Sequence, residues 1–70
     1  MKVIGEQIKQ RRQELGITQP HLALLSEISV NTLYKIERGR SNPTVSTLAK
    51  IAEVLGLEVK LTVKTPEQLS

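Results

Sequence analysis

A chain of 70 residues has room for one small hydrophobic core, and Tyr34 is its only aromatic residue. The net charge of +3 is a mild excess that fits a nucleic-acid partner without requiring one. The absence of cysteine excludes a disulfide framework and a thiolate metal site, and it agrees with a cytoplasmic location. No apolar run is long enough for a membrane span, and the N-terminal ten residues lack a signal-peptide core.

Hydrophobic periodicity predicts four helices, the first over residues 3–15. The side chains that the pattern turns inward are, in chain order, Ile4, Ile8, Leu15, Leu22, Ala23, Leu25, Leu33, Ile36, Val45, Leu48, Ile51, Ala52 and Leu55. The later helices begin at the capping residues Thr18, Ser29 and Thr44. Helix ends are predicted at Gly16, Gly39 and Gly56, because glycine accepts the left-handed conformation there.

Residues 18–39 indicate two short helices around a tight turn at residues 26–28. The second of them carries Leu33 and Ile36 on its inner face. Its outer face presents the side chains of Asn31, Tyr34, Lys35 and Arg38. A short helix that is held on one side and chemically varied on the other can enter a DNA major groove and read base edges. The pattern therefore predicts DNA binding.

Asn31 and Lys35 are the strongest candidates for base contact, since an amide bonds bidentately to adenine and a lysine donates to guanine. Val30 is placed to touch a thymine methyl group, and Tyr34 a base edge or a phosphate. For each residue taken alone, a solvated helix face is the better explanation. Their grouping on one helix face favours DNA.

Phosphate contacts are predicted from polar residues at the ends of the third helix. Ser29 and Thr32, at its start, remain open between capping, packing and phosphate contact. The polar cluster after its end consists of Arg38, Arg40, Ser41 and Asn42. Such contacts position a domain without selecting sequence, and any one of these residues alone would be an ordinary loop residue.

After residue 56 the hydrophobic pattern changes to a period of two, which predicts a strand over residues 57–64. Its apolar face consists of Leu57, Val59, Leu61 and Val63. Nothing else in the chain has a strand pattern, so the economical partner is the same strand of a second copy, antiparallel across a two-fold axis. A strand of a different protein is the alternative. Residues 1–56 would then form the DNA-binding domain, and residues 65–70 a flexible tail.

The chain resembles the phage-repressor and Cro type of helix-turn-helix domain, the XRE family, over residues 4–55. The residues that carry the resemblance are Arg12, Leu15, Gly16, Ile17, Thr18, Gln19, Leu22, Ala23, Ile28, Ser29, Ile36, Glu37, Arg38, Gly39, Asn42, Pro43, Thr44, Leu48, Ile51, Ala52, Leu55 and Gly56. The resemblance implies a mostly α, lambda-repressor-like helical bundle of about five helices, of which four are visible in this sequence. The alternating pattern adds a C-terminal β-strand that pairs across a homodimer. The resemblance also implies a transcriptional repressor of a palindromic double-stranded DNA operator.

Four residues acquire roles from this resemblance. Gln19 resembles the family's phosphate-clamping glutamine. Arg12 and Glu37 both lie on apolar stripes, and in the family such a pair joins the first and third helices; the alternative is that both side chains extend to water. Glu27 stands where the family usually has glycine, and a residue with a Cβ in a left-handed conformation costs roughly 1 kcal/mol, so the turn is expected to be strained or slightly reshaped.

A strand directly after the last helix is similar to the HipB-like antitoxins, which repress their own operon and hold a HipA-type kinase toxin inactive. An antitoxin is therefore the leading specific role, with a stand-alone phage or host regulator as its competitor. A protein-interaction module that has lost DNA binding is the alternative from another class. His21 stands alone and no nucleophile–base group is visible, so neither an enzyme, a metal nor a cofactor is expected.

Overall fold

The computed structural model describes residues 2–60, and the side chains of residues 3–60. It contains the four predicted helices: α1 (Lys2–Glu14), α2 (Gln19–Leu25), α3 (Val30–Glu37) and α4 (Val45–Leu55). α3 packs against α1 and α2, while α4 packs against the same two helices from another side. None of these four helices is long and apolar enough to cross a membrane.

The predicted capping residues are confirmed at the start of α2, α3 and α4. Thr18, Ser29 and Thr44 have extended backbone conformations, and each side-chain oxygen accepts a hydrogen bond from the backbone N–H three residues later. The three distances are 3.2, 3.0 and 3.1 Å. Each cap satisfies a backbone donor that has no partner within its helix.

All four helices end in the same way, with two backbone hydrogen bonds that reach back into the last turn. The residue whose N–H donates the first of these bonds has a positive φ in each case, and in three of them it is the predicted glycine: Gly16, Gly39 and Gly56. At the end of α2 the residue is Glu27, with φ of 59°. The turn is therefore not reshaped: Glu27 adopts the left-handed conformation that glycine adopts at the other three helix ends. A residue with a Cβ in this conformation is strained by roughly 1 kcal/mol.

The core forms where the helices meet. Its buried residues are Ile8, Leu22, Ala23, Leu33, Ile36, Leu48, Ile51 and Leu55. Partly buried side chains packed against it are Ile4, Ile17, Ile28 and Val54. Most of the predicted inward face is therefore confirmed.

Three of the side chains predicted to face inward lie at the surface instead. Leu15, Leu25 and Val45 are 44%, 50% and 70% exposed. Leu15 comes after the last residue of α1, so the helical period no longer places it. At the end of α2, Ser26 occupies the buried position and is 1% exposed, which leaves Leu25 at the edge. Val45 is the first residue of α4 and lies at the end of that helix's apolar face.

The predicted strand is only partly covered by the described residues. Residues 57–60 have no regular secondary structure, and residues 61–64 and the predicted tail lie outside the described part of the chain. A strand is defined by hydrogen bonds to a neighbouring strand, so pairing with a second copy stays a prediction.

Candidate nucleic-acid interface

The two sides of α3 differ sharply in burial. Leu33 and Ile36 are completely buried on its inner side. On the outer side Asn31, Lys35 and Arg38 are exposed, and their spacing of four and three residues places them in one line along the helix. The opposite face is thus fixed by packing, and this line of polar side chains faces solvent.

Val30 and Tyr34 lie along one edge of this outer face and are also exposed. The guanidinium carbon of Arg38 lies 5.5 Å from the centre of the Tyr34 ring. A cation over an aromatic face is an attractive contact, so each side chain restricts the freedom of the other. The structure therefore places all four predicted base-contact residues on one accessible surface.

The hydroxyls at the start of α3 are engaged within the helix. Ser29 Oγ accepts a hydrogen bond from the Thr32 backbone N–H at 3.0 Å and donates to Thr32 Oγ1 at 2.8 Å. Of the roles left open by the sequence, capping is the one that the geometry shows. It fixes the first turn of α3.

The loop after α3 carries the other predicted phosphate-contact residues. Arg38 caps α3, and Arg40 and Asn42 are exposed, whereas Ser41 is half-buried. The two arginines give this end of the helix a positive charge, which suits a polyanion.

Behind the outer face, Arg12 and Glu37 form a two-pronged ion pair between α1 and α3. Arg12 Nε donates to Glu37 Oε2 at 2.8 Å, and Arg12 Nη2 donates to Oε1 at 3.1 Å. Their side chains are only 12% and 2% exposed. Arg12 Nη1 also donates to the Ile17 carbonyl at 2.9 Å, so the same guanidinium holds the loop before α2. The structure brings the two predicted partners together below the surface.

Gln19 has a partner that sequence reasoning missed. Its side-chain Nε2 donates to Glu37 Oε1 at 3.0 Å, although the two residues are 18 positions apart. The first residue of α2 is thereby tied to the last residue of α3. No sequence signal could have revealed this contact, because it depends on how the two helices cross.

Gly5 is a second residue that the sequence reasoning missed. It is buried in α1, and a Cβ at this position would overlap the Ile36 carbonyl oxygen and lie 3.0 Å from that of Glu37. Glycine inside a helix is unfavourable by about 1 kcal/mol relative to alanine, which is the signal that could have identified a close backbone approach. Gly5 lets α1 lie directly against the end of α3.

Arg11 is a third residue whose role the sequence reasoning missed. Its Nε donates to the carbonyl of Leu55 at 2.9 Å, which fastens the end of α4 to α1.

His21 is exposed, and within residues 2–60 no three histidine, aspartate or glutamate side chains are grouped to hold a metal ion. The polar outer face of α3 is therefore the candidate interface in the described part of the chain.

The sequence is similar to those of known transcriptional regulators. The uncharacterized HTH-type transcriptional regulator y4dJ of Sinorhizobium fredii is 40% identical over 67 residues, which are 94% of this chain and 87% of the regulator. The immunity repressor protein of Bacillus phage phi105 is 43% identical over 56 residues, 80% of this chain. The chain spans 39% of that repressor's length.

Two solved structures share the fold. The restriction-modification controller protein C.AhdI from Aeromonas hydrophila superposes with a TM-score of 0.76 and 29% identity, covering 79% of this chain and 83% of the controller. The clp gene regulator ClgR from Corynebacterium glutamicum gives a TM-score of 0.78 at 30% identity, covering 80% and 60% of the two chains. The family model of the helix-turn-helix domain HTH_3 matches residues 8–61. The chain therefore belongs to the HTH_3, or XRE, family of helix-turn-helix proteins.

Proposed function

We propose that this protein is a sequence-specific DNA-binding transcriptional repressor. The observation that carries the proposal is the exposed line of Asn31, Lys35 and Arg38 on a helix whose opposite face is completely buried. A major groove about 12 Å wide admits one α-helix, and a helix so held presents its outer side chains in fixed positions. The regulators and the phage repressor among the relatives support the same class of function.

Base recognition is assigned to the middle and start of α3. Asn31 bonds to adenine through its amide, and Lys35 donates to the acceptor atoms of guanine. Val30 contacts a thymine methyl group, and Tyr34 a base edge or phosphate. Gln19 on one side, and Arg38, Arg40, Ser41 and Asn42 on the other, hold the sugar-phosphate backbone. A cytoplasmic location, as predicted from the sequence, is part of this proposal.

The test begins with selection of an operator from random double-stranded DNA by the full chain. On that operator, Asn31→Ala and Lys35→Ala each weaken binding roughly 5- to 150-fold, equivalent to about 1–3 kcal/mol, and relax the choice of one base. Lys50→Ala is the matched control, because Lys50 is an exposed lysine on α4. It removes the same charge and leaves base preference unchanged.

A protein-interaction module that has lost DNA binding makes the opposite prediction. No sequence would then be enriched from random DNA, and neither Asn31→Ala nor Lys35→Ala would alter binding of any protein partner. This alternative is excluded if one palindromic sequence is enriched and both substitutions weaken binding to it.

Dimerisation through residues 57–64 is the second part of the proposal. A largely apolar groove runs between α1, α4 and the segment after α4. Its apolar lining is formed by Ile4, Ile8, Leu48, Ala52, Leu57 and Val59, and Gln7, Glu58 and Lys60 also line it. Leu57 and Val59 remain 37% and 45% exposed in the single chain. Pairing with the same strand of a second copy would satisfy the backbone groups along one edge of each strand and cover these side chains. Two copies would read half-sites about 34 Å apart.

The dimer is tested by Leu61→Lys, which places a charge on the predicted apolar face of the strand. We expect this variant to be monomeric by light scattering and to bind the operator more weakly. Thr62→Lys introduces the same charge on the polar face and should remain dimeric. A dimeric Leu61→Lys protein contradicts pairing through this strand.

A HipB-like antitoxin that autoregulates its operon is the specific role favoured by the alternating pattern after α4. Its partner would be a HipA-type kinase toxin. The alternative role is that of a stand-alone regulator. A nuclease-treated pull-down of this protein from its native host, with the recovered proteins identified by mass spectrometry, distinguishes the two roles. Stoichiometric recovery of a kinase-like protein supports the antitoxin, and recovery of this protein alone supports a stand-alone phage or host regulator.

A further inference from the structure

We infer that Glu37 is a positioning residue for the contact between Gln19 and a DNA phosphate, beyond its role as the partner of Arg12. This inference rests on the proposed function. Its basis is that a single buried carboxylate accepts hydrogen bonds from both side chains: two from Arg12, at 2.8 and 3.1 Å, and one from Gln19 at 3.0 Å.

The chemistry of the carboxylate decides how the Gln19 amide is oriented. An ionised carboxylate accepts hydrogen bonds and donates none, so the amide must turn its nitrogen, and not its oxygen, toward Glu37. That nitrogen keeps a second hydrogen, directed away from the carboxylate. A phosphate oxygen is also only an acceptor, so an amide turned the other way would meet it with the wrong atom. Glu37 thus selects the orientation that leaves a donor free.

Charge would oppose this arrangement if Glu37 stood alone, since a carboxylate repels phosphate. Here the guanidinium of Arg12 binds the carboxylate with two parallel hydrogen bonds and balances its charge. The Glu37 side chain is only 2% exposed. Arg12 therefore allows a buried anion to orient a neutral amide near the DNA surface without a net negative charge.

The hydrogen bond between Gln19 and Glu37 also fixes how α2 lies relative to α3. Gln19 is the first residue of α2, and Glu37 is the last residue of α3. Their hydrogen bond joins the helix assigned to phosphate binding directly to the helix assigned to base reading. Glu37 accordingly affects DNA affinity through Gln19, and it touches no DNA itself.

The experiment is a double-mutant cycle with wild type, Gln19→Ala, Glu37→Gln and the double variant of the full chain. Each is titrated with the selected operator and with an unrelated duplex, and concentrations are corrected for the folded fraction measured by circular dichroism. Gln19→Ala should weaken binding to both duplexes roughly tenfold, the loss of about one charge-assisted hydrogen bond. Glu37→Gln alone should weaken binding severalfold, because the new amide can face Gln19 with either its oxygen or its nitrogen and no longer selects one orientation. Once Gln19 is alanine, the same substitution should have less than about a twofold effect.

Coupling in the double-mutant cycle is the readout that a merely structural loss does not reproduce, because a loss of fold lowers affinity by the same factor whether or not Gln19 is present. Salt dependence adds a check on Gln19: a neutral amide displaces no counterion, so Gln19→Ala should leave the salt slope of binding unchanged while lowering affinity at every concentration. Effects of the two substitutions that simply multiply would overturn the inference, because Glu37 would then act independently of Gln19.

Wild-type protein provides a second measurement in case Glu37→Gln does not fold. In a ¹⁵N-resolved NMR spectrum of the free chain, one hydrogen of the Gln19 side-chain amide should be protected from solvent exchange. Addition of the operator should then protect the other hydrogen. Failure of the second protection on DNA that the protein binds refutes the role of Glu37, whereas failure to bind any DNA refutes the proposed function itself.

Discussion

The inner and outer faces of α3 are built from the same eight-residue helix, yet they are constrained in different ways. On the inner face, Leu33 and Ile36 are completely buried and Glu37 is held by α1 and α2. On the outer face, Asn31 and Lys35 are exposed. A helix this short is unstable by itself in water, so its order comes from the inner face. The outer face therefore does not have to stabilise the fold, and its side chains can serve the proposed recognition of DNA.

The largest loss of stability is expected from Arg12→Ala on the inner side. It leaves the buried Glu37 carboxylate without its charge partner, and the free energy of unfolding should fall by roughly 3–5 kcal/mol. Urea denaturation measures this change. The double variant Arg12→Met, Glu37→Leu removes both charges and should recover much of the loss. A double variant no more stable than Arg12→Ala contradicts the ion-pair explanation.

Gly5→Ala should have the next largest effect, because the added Cβ meets the backbone carbonyl of Ile36. Alanine normally stabilises a helix interior relative to glycine. Here the overlap forces α1 away from α3, and we expect a loss of about 1–3 kcal/mol by thermal denaturation. Lys9→Ala, at an exposed position of α1, is the control and should be nearly neutral. Stabilisation by Gly5→Ala would show that the two helices separate at little cost.

Glu27→Gly, in the turn between α2 and α3, should raise the free energy of unfolding. Glycine relieves the strain at φ of 59°, and the net gain is about 0.5 kcal/mol after the added freedom of the unfolded chain. Gly16→Ala is the opposite change at an equivalent helix end where no atom lies within 4 Å. It should destabilise by about 1 kcal/mol through backbone strain alone. Equal signs for the two changes would contradict the common geometry.

The smallest effect on stability is expected from Arg38→Ala on the outer face. The contact with the Tyr34 ring is exposed, so the free energy of unfolding should change by less than about 0.5 kcal/mol. Binding to all DNA sequences should weaken, and the salt slope should fall by about one because one phosphate contact is lost. An unchanged slope would place Arg38 away from the DNA backbone.

Local features of the fold could be predicted from the sequence because their causes lie within a few residues. The caps Thr18, Ser29 and Thr44 and the left-handed ends of the helices each depend on one turn of chain. The prediction of inward-facing side chains was wrong at Leu15, Leu25 and Val45. All three lie at or beside helix ends, where the helical spacing no longer determines which way a side chain points. For the interface, the pattern grouped the outer residues of α3, and the structure places them on one exposed face.

The sequence alone determined the number of helices, the caps at which three of them begin and the division of α3 into an apolar and a polar side, since local spacing is enough to specify these features. Only the tertiary structure decided that Gly5 lies against Ile36, that Arg11 binds the end of α4, and that Gln19 shares the carboxylate of Glu37. These contacts join residues from 18 to 44 positions apart. They depend on the angles and distances at which helices pack, which no local pattern encodes.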